Sequence, residues 1–301
     1  MSNILCTGGA GFIGSHLVET LLKENNNITV IDNLSMGKVQ NLPTSKNLAF
    51  IRADILDNIG IFFQDVDIVF HLGALTRPRE SMAQPMETNK VNIEGTLKTL
   101  INAERAGVKK FIFVSSASAY GYQTTYPFDE RMELNPVSPY AVTKQTGEQY
   151  CKLFTDSMIV NSVRPFNVYG TRQSPKGEYA SAVPKFIDSL KNGVEPYITG
   201  DGKQFRDFVH VDDVVDMLIA VSKSDMNGQV FNCGSGKHTS INALFNTICG
   251  IMNKKVTPKY IDPVNDPNTV AGMAKAEKYL NWRPKISLVE GLERMINEHS
   301  N

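Results

Sequence analysis

The stretch Thr7-Gly8-Gly9-Ala10-Gly11-Phe12-Ile13-Gly14 follows directly on the apolar start Ile4-Leu5-Cys6. Glycine at this spacing suits a strand-to-helix turn wrapped around a phosphate. Gly8 fits the tight turn, Gly11 lets the backbone approach a pyrophosphate, and Gly14 lets the next helix lie close to its strand. The free N–H groups opening that helix would face the anion. A glycine cluster alone also suits a strained turn in an unrelated α/β protein, so the residues after it decide. His16 to Lys23 reads as an amphipathic helix and Ile28-Thr29-Val30-Ile31 as the next buried strand, with Asp32 at its carboxyl end. An acid at that distance is placed to accept hydrogen bonds from an adenine ribose and repels a 2′-phosphate. No arginine follows it closely, so NAD is expected rather than NADP. The plainer reading of Asp32 is a turn-forming Asp-Asn pair with Asn33.

Working outward, apolar runs at Ala49 to Ile51, Ile68 to Leu72, Phe111 to Val114 and Ile159 to Val163 alternate with helix-like stretches. Such alternation predicts an α/β fold, a Rossmann-type doubly wound parallel sheet. Two helices stand out, one from about Asn89 to Ala106 closed by Gly107, the other from Pro139 to about Phe154. Beyond Gly170 the pattern breaks into pieces punctuated by Gly, Pro and Ser, which reads as a smaller C-terminal substrate-binding lobe over the strand carboxyl ends. Residues 1–168 are therefore expected to form the dinucleotide domain, with segments near 204–232 returning to it. Residues 169–301 would form most of the second lobe.

The 301 residues carry 31 Lys+Arg against 31 Asp+Glu, with ordinary apolar content. A zero formal charge argues against a nucleic-acid surface. No leader pattern opens the chain and no apolar run is long enough to span a bilayer, which points to a cytosolic protein without a membrane partner. Cys6, Cys151, Cys233 and Cys249 lie far apart without metal-type spacing, and the five histidines form no i, i+4 pair. Reduced structural thiols are expected, and no metal.

Ser138-Pro139-Tyr140-Ala141-Val142-Thr143-Lys144 opens a helix, with Ser138 as cap and Pro139 at the first helical position. Tyr140 and Lys144 then share one face. A phenol ionises near pH 10 and is a poor base at neutral pH unless positive charge stabilises its phenolate. An ammonium one turn away and a cationic nicotinamide would both supply that charge. Alone, the pair is commonplace on a solvated helix face; after a dinucleotide turn it becomes a catalytic candidate. Val114-Ser115-Ser116-Ala117-Ser118-Ala119-Tyr120-Gly121 puts small residues and hydroxyls at a strand's carboxyl end, where an ordinary polar loop is the plainer alternative.

With these motifs the chain resembles the extended short-chain dehydrogenase/reductases, and among them the NAD-dependent epimerase/dehydratase family on its UDP-glucose 4-epimerase side. Further segments carry the likeness: Asp54-Ile55, His71-Leu72-Gly73-Ala74, Arg164-Pro165-Phe166-Asn167-Val168-Tyr169-Gly170 and Arg206-Asp207-Phe208-Val209-His210-Val211-Asp212-Asp213. The resemblance implies Tyr140 as base, Lys144 as anchor of the nicotinamide ribose and tuner of Tyr140, and Ser116 as the hydroxyl on the reacting sugar oxygen. It implies a cofactor lined by Gly8, Gly11, Phe12, Ile13, Gly14, Asp32, Asn33, Asp54, Ile55, Leu72, Gly73, Ala74, Ser115, Tyr140, Lys144 and Phe166. For a UDP-sugar substrate it implies Ser116, Ser118, Tyr140, Asn167, Ala182, Val183, Tyr197, Arg206 and Asp266. Asn167 and Arg206 would hold the diphosphate, although Arg206 could instead pair with Asp207 or Asp213. Tyr197 to Thr199, before Gly200-Asp201-Gly202, would border the nucleobase.

The implied reaction takes the proton of the sugar 4-hydroxyl onto Tyr140 as hydride leaves C4. Return of the hydride to the other face of the 4-keto sugar inverts C4. Dehydratases of the family carry an Asp-Glu pair after the catalytic hydroxyl residue, and decarboxylases keep an acid at the second of these positions. This chain has Ala117 and Ser118. A binding protein without chemistry is the rival from another class, and persistence of Ser116, Tyr140 and Lys144 speaks against it. Two departures leave the sugar open: Pro263 stands where the family has a diphosphate arginine, and Thr76, with Arg77 and Arg79 close after it, replaces a lysine used by some hexose epimerases. A homodimer through the 89–106 and 139–154 helices is also implied; the alternative is that both faces are spent within one subunit.

Overall fold

The computed structural model describes residues 1–175, 181–262 and 267–298. Strands β1 (Asn3–Thr7), β2 (Asn27–Ile31), β3 (Leu48–Ile51), β4 (Ile68–His71), β5 (Lys110–Val114) and β6 (Ile159–Pro165) form one sheet. Helix α1 (Phe12–Lys23) links β1 to β2. Between β4 and β5 run α2 (Pro78–Ala83), α3 (Pro85–Asn89), a π-helical turn at Lys90–Glu94, and α4 (Gly95–Arg105). Helix α5 (Pro139–Leu153) leads into β6.

The chain then adds β7 (Asn167–Tyr169), α6 (Ala182–Asn192), β8 (Tyr197–Thr199), β9 (Phe205–Arg206) and β10 (Phe208–His210). Helix α7 (Val211–Lys223) and β11 (Val230–Cys233) carry it back to the sheet, where β11 pairs with β6. Last come β12 (Thr239–Ser240), α8 (Ile241–Ile251), β13 (Lys259–Ile261), α9 (Ala274–Leu280) and α10 (Leu288–Glu298).

The seven-stranded sheet has the order β3-β2-β1-β4-β5-β6-β11, and every neighbouring pair is parallel. Successive side chains point to opposite faces, and both faces are covered, which is why the strands read as nearly continuous apolar runs. Ile4 and Cys6 pack with Leu17, Val18 and Leu21 of α1 and with Val214 and Leu218 of α7. Leu5 faces the other way into a cluster with Leu100 and Ala103 of α4, Phe111 and Phe113 of β5, and Cys151 of α5. A third core joins Val183, Phe186 and Ile187 of α6 to Leu244 and Phe245 of α8 and Leu292 of α10.

The strand order reverses between β1 and β4, which opens a crevice at the carboxyl ends where such sheets bind ligands. Two helices begin earlier than the sequence pattern predicts. Helix α1 starts at Phe12 rather than His16, because Gly11 is already its extended N-cap. The helical run expected from Asn89 starts at Pro85, which suits a first helical position, and it reaches Arg105 through the π-helical turn.

Candidate active site

The glycine turn closes under tight steric limits. Gly8 has φ +69°, and a Cβ there would lie 2.7 Å from the N of Gly73 in the loop after β4. A Cβ on Gly14 would lie 2.3 Å from Gly8 O. Only glycine allows this packing of turn, helix and neighbouring loop. Gly11 caps α1 without a side-chain hydrogen bond, and the first turn has no acidic residue. The positive end of the helix and its N–H groups are thus left for an anion.

Asp32 is buried. Its Oδ2 accepts the Ala10 N–H at 3.0 Å and its Oδ1 accepts the Leu34 N–H at 2.8 Å. The carboxylate therefore braces the glycine turn and makes the Asx-type turn expected of an Asp-Asn pair, while each oxygen keeps a second lone pair. Next to it, Asn33 Nδ2 donates to Asp54 Oδ2 at 2.7 Å, and Asp54 Oδ1 accepts Leu56 N–H at 2.9 Å. Ile55 is buried, and a Cβ on Gly73 would lie 3.2 Å from its Cγ2. This donor and acceptor set fits a dinucleotide: a free helix N-terminus for a pyrophosphate, with an acid one strand away for a ribose.

His71 ends β4 wholly inside the protein. Its Nδ1 is hydrogen-bonded to Thr7 Oγ1 at 2.7 Å and its Nε2 to Thr96 Oγ1 at 2.9 Å. Thr7 Oγ1 also accepts the Gly73 N–H at 3.2 Å, so the Leu72-Gly73-Ala74 loop is tied to β1 beside the glycine turn. Burial lowers the His71 pKa to about 3, and the Lys144 charge adds to the effect. The ring is a neutral strut.

Ser138 caps α5 by accepting the Ala141 N–H at 3.2 Å. One face of the helix then buries Tyr140 and Lys144. Burial raises the pKa of the Tyr140 phenol, and the nearby Ser116 side chain acts against that rise. Lys144 Nζ lies 5.9 Å from the Tyr140 ring centroid and donates to Val114 O at 2.8 Å. Desolvation lowers the Lys144 pKa to about 8, with Glu148 and Cys151 acting in the opposite direction. Ser116 Oγ accepts the Ser118 N–H at 3.1 Å, opening the 3₁₀ turn that follows β5. A hydroxyl, a phenol and an ammonium thus converge at the carboxyl end of β5, across the crevice from the glycine turn. Such an arrangement can move a proton beside a turn that fits a dinucleotide.

On the other lobe, Asn167 Nδ2 donates to Asp207 O and to Thr269 Oγ1, both at 3.1 Å. Its amide protons are engaged within the protein, and its Oδ1 remains an acceptor. Arg206 is half-buried, with Nη1 donating to Phe205 O at 2.8 Å. The Asp207 carboxylate accepts the N–H groups of Ser235, Gly236 and Ala271, and Asp213 those of Lys285 and Ile286. Ala182 and Val183 open α6, and Lys185 in its next turn donates to the Tyr197 hydroxyl. Phe166 is buried in the main core, and Ser118 lies in the turn after Ser116. Pro263 and Asp266 lie outside the described residues. Among the described residues no cluster of His, Cys, Asp or Glu could hold a metal ion, and no helix is long and apolar enough to cross a membrane.

Three positions escape a reading by motif. Ser81 Oγ accepts the Tyr140 N–H at 3.1 Å. Asn92, within the π-helical turn, accepts Leu75 N–H and donates to Leu75 O and Thr143 Oγ1. Glu148 lies buried one turn beyond Lys144. Only Glu148 left a trace in the sequence, as a charge continuing the i, i+4 spacing of Tyr140 and Lys144.

The sequence model of the NAD dependent epimerase/dehydratase family matches residues 4–234. A putative UDP-glucose 4-epimerase of Methanocaldococcus jannaschii is 38% identical over 98% of this chain and 97% of its own length. Among solved structures, a UDP-N-acetylglucosamine 4-epimerase from Methanobrevibacter ruminantium, in complex with UDP-N-acetylmuramic acid, superposes with a TM-score of 0.96. It is 36% identical, with 99% of this chain and 98% of that one covered. A UDP-glucose 4-epimerase from Thermotoga maritima with UDP-glucose gives 0.95 at 37% identity, covering 99% and 98%. Together with the glycine turn, Asp32 and the Ser116, Tyr140 and Lys144 group, these matches show that the chain belongs to the NAD dependent epimerase/dehydratase family.

Proposed function

We propose that this protein is an NAD-dependent UDP-sugar 4-epimerase. The observation that carries the reading is the buried Tyr140, beside Ser116 and one turn from Lys144, at the carboxyl end of β5. Gly8, Gly11, Phe12, Ile13, Gly14, Asp32, Asp54, Leu72, Gly73 and Ala74 would hold NAD, with Lys144 on the nicotinamide ribose. When bound, NAD accepts hydride from sugar C4 and returns it. Tyr140 takes the proton of the 4-hydroxyl and gives it back, while Ser116 orients that oxygen. Burial alone makes Tyr140 a weaker acid, so Lys144 must stay protonated for the phenol to act as a base near neutral pH. Inversion requires the keto-sugar to turn over between the two transfers. A firm hold on nucleotide and diphosphate by the second lobe, through Asn167, Ala182, Val183, Tyr197 and Arg206, would permit that turn.

Elimination or decarboxylation needs a further acid or base at the sugar. Ala117 and Ser118, the residues after Ser116, supply neither, which supports epimerisation as the outcome. We read the division of the chain as a dinucleotide domain over 1–168, joined by α7 and β11, and a substrate lobe from the remainder. A cytosolic setting accords with four cysteines that are all free and buried. Dimerisation through the 89–106 and 139–154 helices accords with the exposed apolar side chains Val142 and Leu153 of α5. Sedimentation showing only monomer at micromolar protein would contradict the dimer.

Incubation with UDP-glucose and, separately, UDP-N-acetylglucosamine, without added reductant, tests the reaction. New galacto-configured anomeric proton signals are expected from at least one. Unchanged spectra from both, in protein that retains NAD, would favour a binding role.

A further inference from the structure

Helix α5 buries three polar side chains at one-turn intervals on a single face: Tyr140, Lys144 and Glu148. The first two belong to the reacting group, and the third has no role in it as described so far. Glu148 is 2% exposed and meets Arg164 of β6 in a two-pronged pair. Arg164 Nε donates to Oε1 at 2.8 Å and Nη2 to Oε2 at 2.6 Å. Oε1 also accepts the Ser115 hydroxyl at 2.5 Å. On its outer side the Arg164 guanidinium lies 4.6 Å from the Tyr120 ring centroid.

A buried ion pair is poor evidence of a stabilising device, because an apolar pair of similar volume often serves stability as well or better. Its surroundings suggest another use. Ser115 lies between Val114, whose carbonyl accepts from Lys144 Nζ, and Ser116, whose side chain lies beside the Tyr140 phenol and lowers its pKa. One carboxylate thus reaches the backbone segment that holds both catalytic partners.

We propose that Glu148, clamped by Arg164, is a positioning residue for the catalytic pair. It fixes the Val114-Ser115-Ser116 segment through the Ser115 hydroxyl and places a negative charge one helical turn from Lys144. This rests on the reading of Ser116, Tyr140 and Lys144 as the reacting group. Lys144 is faced from its own helix by Tyr140, Cys151 and Glu148 and from β4 by the neutral His71, while the Arg164 guanidinium of β6 is held on the Glu148 carboxylate. Replacing Glu148 by Gln removes the carboxylate and leaves the guanidinium uncompensated. Loss of the carboxylate disfavours the Lys144 ammonium.

The test is a pH titration of NAD-loaded protein by NMR, with lysines carbon-13 labelled at Cε. The Lys144 signal is assigned by its loss in Lys144→Met. Glu148→Gln is expected to lower the Lys144 midpoint by about one pH unit or more. Glu148→Asp, which keeps the charge, should leave it nearly in place. In turnover assays the alkaline limb of kcat should move to lower pH with the midpoint, while KM for the sugar nucleotide holds. An unchanged Lys144 midpoint in folded, NAD-loaded Glu148→Gln overturns the proposal. If a lone Arg164 prevents that variant from folding, Glu148→Gln/Arg164→Met removes both charges. The midpoint should still fall, because Glu148 raises it, as does Cys151, which both variants keep, and Arg164 is not among the groups that shift it; no fall overturns the proposal here too. The titration needs no sugar, so wild-type protein inert to every UDP-sugar would count against the functional reading alone.

Discussion

Ser81 Oγ accepts the backbone N–H of Tyr140 at 3.1 Å, so α2, which carries no catalytic candidate, fixes the first turn of the helix that does. In Ser81→Ala that buried N–H loses its acceptor, at a cost of about 1–3 kcal/mol. The expected outcome is a lower melting temperature and a fall in kcat larger than the change in KM. An unaltered melting curve would show that the N–H finds another acceptor.

Tyr140→Phe removes the proton acceptor and little else, since the ring stays within the buried face of α5. Bound NAD and the melting temperature should hold, while kcat falls by about 10²- to 10⁴-fold, the usual contribution of a placed acid–base group. Near-normal turnover would mean that another group is the base.

Asp32→Ala deletes the acceptors for the Ala10 and Leu34 N–H groups as well as the expected ribose contact. The ratio of NAD to purified protein should drop several-fold, and added NAD should restore turnover. An unchanged ratio would reduce Asp32 to a brace for the glycine turn.

The buried His71 imposes a pH dependence on stability. In the folded chain it stays neutral down to about pH 3, whereas in the unfolded chain it takes up a proton near 6.5. Its contribution is therefore complete above pH 6.5 and is lost as pH falls toward 3, at about 1.4 kcal/mol per pH unit. His71→Gln should be less stable at pH 7 yet lose stability less steeply with acid, by about one proton's worth of slope. Parallel acid-unfolding curves for the two proteins would contradict this.

Much of this was legible in the chain because local rules govern it. The strands at Ile28 to Ile31 and Phe111 to Val114 are buried on both faces and so read as apolar runs. The α5 start was legible because Ser138 and Pro139 suit its cap and first position for backbone reasons. Helix α1 began earlier than its apolar pattern because a glycine N-cap leaves no side-chain signal. The π-helical turn at Lys90–Glu94 shifts the helical period, and periodicity alone cannot register it. Ser81, Asn92 and Arg164 act on partners far along the chain, so nothing near them in sequence marks their contacts. In the second lobe, β9 and β12 are two residues each and pair with one another, too short for any alternation to show.

The most direct test of C4 epimerisation uses UDP-glucose deuterated at C4 of the sugar. Transfer to a bound cofactor and back should give the galacto-configured product with deuterium still at C4 and no hydrogen gained from solvent. Loss of the label to water, or a product lacking the elements of water, would contradict the proposed reaction.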